Sequence, residues 1–155
     1  MSLFHIAQGI EGSPVGQTIR ESTWLFPAIE VIHLLCLAVL GGAVLMTALG
    51  VFGVGLKTPT PKEIEVSTRP YMTTAVVAIL ITGLLLGASE PVKLIDREAF
   101  LIKMVSLVLA LLFTYFVFNP IVRKGDTGVR ARAAAGVVMA LWFTVALSGR
   151  WIGFS

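Results

Sequence analysis

Four stretches of this chain are each apolar for about the twenty residues that a helix needs to cross a hydrocarbon core. They cover residues 24–52, 71–88, 100–119 and 131–149. A bilayer interior has no water to satisfy backbone groups, so such segments cross it as helices that bond every N–H and C=O internally. The composition agrees. Charged residues are 14% of the 155 and apolar residues 56%, with a mean hydropathy of +0.89, against roughly 25% charged in ordinary globular domains. So few charges cannot coat a water-facing surface. The expected fold is all-α: a four-helix transmembrane bundle of residues 24–155 in contact with the lipid bilayer, preceded by a short interfacial segment, residues 1–23.

That segment holds one arginine, Arg20, and no long apolar run, so it does not read as a cleavable signal peptide. Leu3, Ile6, Ala7 and Ile10 fall at helical spacing, which fits a short helix on the membrane surface as well as a loose tail. Ser22 or Thr23 can cap the first span, and Pro27 falls in its first turn, where proline is tolerated. Gly50, Gly53 and Gly55 weaken its far end, Pro70 precedes the second span and Pro120 stops the third. No internal repeat or low-complexity segment interrupts this single domain.

Lysine and arginine in the short loops set the orientation. The side shared by both termini and the second loop carries Arg20, Lys93, Arg97 and Arg150, four in all. The opposite side carries seven: Lys57, Lys62, Arg69, Arg123, Lys124, Arg130 and Arg132. Both termini are therefore expected outside, in the periplasm of a Gram-negative cell. The net charge of +3 is explained by this loop bias. No basic patch with interleaved aromatics suggests nucleic acid. The single cysteine, Cys36, excludes an intrachain disulfide and a cysteine-based zinc site, and reads as a small buried hydrophobe. Ala38-xxx-Gly42, Gly83-xxx-Gly87 and Gly136-xxx-Ala140 are small-xxx-small patterns suited to close helix packing, within the bundle or between copies.

Charges inside a bilayer are costly, so each needs a reason. Glu30 and His33 are three apart in the first span and share a face, Lys103 lies about one turn into the third, and Arg150 closes the fourth. Helix direction alone brings all four to the half of the bundle nearest the termini. A structural reading makes them a lock, with Glu30 neutralising Lys103 or Arg150 and His33 bonded nearby. Lys103 and Arg150 near span ends can also snorkel to headgroups without a partner. A functional reading makes Glu30, His33, Lys103 and Arg150 a cofactor site reached from outside. Histidine is the usual axial ligand of a b-type haem and a common copper ligand, while lysine and arginine pair with propionates. A quinone headgroup can also bond to His33.

The only other histidine, His5, lies outside the spans, so one chain cannot give a bis-histidine haem. Met104 or Met139 as sixth ligand, or a second copy's own histidine, remain as alternatives. Copper(I) favours His, Met and Cys, yet no Met-xx-Met spacing accompanies His33 and Cys36. There is no phosphate-binding glycine loop, no HExxH and no serine elbow, so nothing supports catalysis.

The first span reads W-x-x-P-x-x-E-x-x-H through Trp24, Pro27, Glu30 and His33, with Gly41 and Gly42 further on. Together with Phe100 and Lys103 and the ending Ser148-Gly149-Arg150-Trp151-Ile152, it resembles a family of small four-span bacterial membrane proteins without assigned function. The layout is more distantly similar to the membrane domain of copper-resistance D-type proteins and the four-helix cytochrome b group. The resemblance implies a multi-pass protein of the bacterial inner membrane with an outward-facing polar site. Three functions follow: a non-enzymatic subunit or anchor of a membrane complex or homo-oligomer, an electron-transfer protein using haem b or quinone at His33, and a copper-handling protein.

Overall fold

A computed structural model describes residues 12–55, 58–89 and 98–152. These residues are helical with connecting turns and no strand. A short helix α1 (Pro14–Glu21) leads to α2 (Leu25–Phe52) and α3 (Pro61–Ser89). The third span runs through α4 (Glu98–Phe113), a π-turn (Thr114–Phe118) and α5 (Asn119–Arg123), and α6 (Val129–Ile152) follows. Four helical stretches are long and apolar enough to cross a membrane: Leu25–Phe52, Pro61–Ser89, Phe100–Arg123 and Val129–Arg150. The protein is a four-helix transmembrane bundle.

Local chemistry sets the ends of these helices. Ser13 accepts from the Gly16 N–H and starts α1 with Pro14 in its first position. The surface helix expected from Leu3, Ile6, Ala7 and Ile10 lies outside the described residues. Trp24 is the N-cap of α2, but the Ser22 hydroxyl accepts from Leu25 N–H at 3.1 Å and does the capping that the sequence suggests. Gly53, at φ 76°, ends α2 in the left-handed conformation, with Gly53 N–H bonding Gly50 O and Val54 N–H bonding Leu49 O.

Two prolines behave differently from the sequence expectation. The helix around residues 71–88 begins ten residues earlier, at Pro61, because Thr60 and Glu63 form a reciprocal capping box. Pro70 is therefore an interior residue. Pro120 does not stop the third span. Its missing N–H and its ring remove an ordinary α-turn, and the helix widens instead so that the Asn119 N–H bonds Thr114 O five residues back.

The spans run antiparallel, with α2 packed on α3 and α6, α4 on α6, and α5 on α3. The core is Leu40, Val44, Ala48 and Val51 of α2, Met72, Ala75 and Ile79 of α3, and Ala131, Ala134, Ala135, Val138, Trp142 and Val145 of α6, closed by Ala110, Phe118 and Val122. The close approach on α6 comes from its alanines. Gly136 and Ala140 face outward, and no atom lies within 4 Å of where a Cβ on Gly136 would be. Large side chains such as Leu84, Phe116 and Phe143 point out of the bundle, as a lipid-facing surface requires.

Candidate functional site

At the termini end, α2 carries His33 about 12 Å in from Leu25. The ring is buried, 7% exposed, and turns towards α3. Its Nδ1 lies 2.8 Å from Thr82 Oγ1. Thr82 has a single hydroxyl proton, and its oxygen is 2.6 Å from the Ala78 carbonyl, which can only accept. The proton therefore goes to Ala78, and His33 Nδ1–H donates to Thr82. The neutral ring then keeps its lone pair on Nε2. This is the arrangement by which a buried partner fixes a ligating or proton-accepting histidine. Gly83 makes room for it: a Cβ there would lie 3.4 Å from His33 Cε1.

Lys103 enters from α4. It is half-buried, lies against Gly149 of α6, where a Cβ would be 3.7 Å from Nζ, and is near enough for its charge to act on the His33 ring. It forms no hydrogen bond or ion pair with a described residue. Glu30 does not join it. Three residues are about 60° short of a full turn, and that offset rotates Glu30 out of the bundle, where it is exposed and bonds no described residue. The expected neutralisation of Lys103 by Glu30 is thus not formed. Arg150 is also exposed at the end of α6. Of the four residues singled out from the sequence, His33 and Lys103 turn inward at the same end of the bundle, Glu30 faces outward, and Arg150 sits at the rim.

Among possible metal partners, Met104 is 42% exposed on the outer surface and Met46 is also exposed. Met139 packs against the core about three turns below Gly149. Among the described residues no group of three or more His, Cys, Asp or Glu converges as a metal site.

The opposite end holds an ion pair that the sequence reading did not anticipate. Glu65 of α3, 1% exposed, receives Arg123 Nε on Oε2 at 2.9 Å and Nη2 on Oε1 at 2.7 Å. In the sequence Glu65 has no place inside a span, because the apolar run starts only at Tyr71. The signal was present in the capping box at Thr60 and Glu63, which places residue 65 inside a helix. In the middle of the bundle, the Trp142 indole donates to Thr114 Oγ1 at 3.0 Å, and Thr114 donates to Ala110 O.

Residues 15–155 match the model of a family of unknown function (DUF6644). The chain belongs to that family. No curated protein and no solved structure matches it. In this DUF6644 protein the W-x-x-P-x-x-E-x-x-H run contributes one inward side chain, His33, and leaves Trp24 and Glu30 on the outer surface.

Proposed function

We propose that the protein is a non-enzymatic subunit of a bacterial inner-membrane complex, and that it binds the headgroup of a quinone or quinol between His33 and Lys103. The observation that carries this reading is the half-buried ammonium of Lys103 with no counter-charge among the described residues, beside a histidine whose Nδ1 is already committed. An unneutralised cation within a span calls for a ligand that brings the acceptor. A quinone carbonyl accepts from Lys103, and a quinol hydroxyl donates to the His33 Nε2 lone pair. Both complementary roles are held by fixed groups, so the site can accommodate either redox form. With both termini periplasmic, the headgroup sits in the outer half of the membrane.

The test is a titration of the purified protein with a short-tailed ubiquinone analogue, read as quenching of tryptophan fluorescence. Saturable binding is expected. Lys103→Met removes a charge-assisted hydrogen bond of about 1.5–3 kcal/mol, weakening binding roughly tenfold to a hundredfold. Thr82→Val frees the His33 ring and weakens binding less. Binding unaffected by Lys103→Met contradicts the proposal, and a reducible Soret band in the purified protein assigns the site to a b-type haem instead.

A further inference from the structure

The loop-end half of the third span carries polar groups that neither the ion pair nor the His33 site uses. Tyr115, Asn119 and Arg123 follow at intervals of four and so lie along one flank of their helix. Arg123, at the loop end of this stripe, reaches Glu65 on α3. Asn119 is 3% exposed, and its Nδ2 meets no acceptor. The Tyr115 hydroxyl is also buried without a partner, and among the described residues these are the two buried side-chain polar atoms left so. Both sit on the π-turn and the residue that closes it.

Buried polar atoms are nearly always satisfied by protein or by ordered water. An amide with an unmade bond in a dry core is worse than an apolar side chain of the same shape. Successive members of the stripe are four residues apart, about one helical turn. Arg123 is 34% exposed, so the stripe opens at the loop face and runs about 12 Å inward to Tyr115. Turns of the π type inside α-helices frequently coincide with functional sites.

We propose that Tyr115 and Asn119 hold internal water, in a polar stripe that enters the bundle beside the Glu65–Arg123 pair. The stripe lets water, and with it protons, reach the middle of the bundle from the loop side. It stands whether or not His33 binds a quinone.

The experiment is thermal unfolding of the purified full-length protein carrying Tyr115→Phe, Asn119→Leu, or both. If shared water satisfies both groups, each single change lowers Tm by about 2–4 °C. The double change then lowers it by less than the sum, because the second deletion removes a partner already lost. If the pocket is dry, each change removes an orphaned group, Tm holds or rises, and the effects add. That outcome overturns the proposal. If Asn119→Leu does not accumulate, Asn119→Ala takes its place in the cycle, and the sign of the Tyr115→Phe shift alone separates the wet case from the dry one.

Discussion

The two ends of the bundle treat buried charge in opposite ways. At the loop end, Glu65 is almost fully enclosed, and both its carboxylate oxygens are taken by one arginine in a two-pronged arrangement. Geometry of that kind offsets much of the desolvation that burial imposes. At the termini end, Lys103 lies half-buried against a glycine with no acid beside it among the described residues, and the nearby His33 has one committed and one uncommitted nitrogen. A completed pair holds helices together. An incomplete one leaves bonding capacity for something else, and that difference is why binding is proposed for one end and a structural role for the other.

The contrast is most sharply broken by removing Arg123. Arg123→Met strands the Glu65 carboxylate inside the bundle, and a loss of about 3–5 kcal/mol is expected, seen as a large fall in Tm. Glu65→Met should cost less, because the partly exposed Arg123 can turn to the headgroups. Equal losses for the two would mean that Arg123 is as enclosed as its partner. Next in size is a hydrogen bond in the middle of the bundle: Trp142→Phe leaves the Thr114 hydroxyl bonded to Ala110 but deletes the cross-helix contact, for about 1 kcal/mol in chemical or thermal unfolding. The smallest effect belongs to Glu30→Gln. An exposed side chain without a described partner predicts a change within about 0.5 kcal/mol. A large loss would show that Glu30 does neutralise a charge within the bundle.

The fold was legible because the hydrocarbon core demands a length and a polarity that no other architecture produces, and four segments meet that demand. The ends were less legible. Pro70 and Pro120 read as boundaries because proline removes a backbone bond, yet a capping box ten residues upstream carries one helix past Pro70 and a π-turn carries the other past Pro120. The site was half legible. Helix direction brought His33 and Lys103 to one end, but a three-residue spacing leaves two side chains about 60° apart on an α-helix. That angle puts His33 inside and Glu30 outside, and hydropathy carries no information on where the line falls. The Thr82 partner of His33 looked like any threonine bonded to its own backbone, which it also is.

The direct test of the division between the two ends is a ligand-dependent unfolding measurement. Wild-type protein, His33→Phe and Trp142→Phe are heated with and without a saturating short-tailed ubiquinone analogue. A ligand that binds only the folded state raises Tm in proportion to its occupancy. The quinone is expected to raise Tm for the wild type and for Trp142→Phe by similar amounts, and to leave His33→Phe unmoved although its bundle still unfolds cooperatively. A shift of the same size in His33→Phe, or none in the wild type, would contradict the assignment of binding to the termini end.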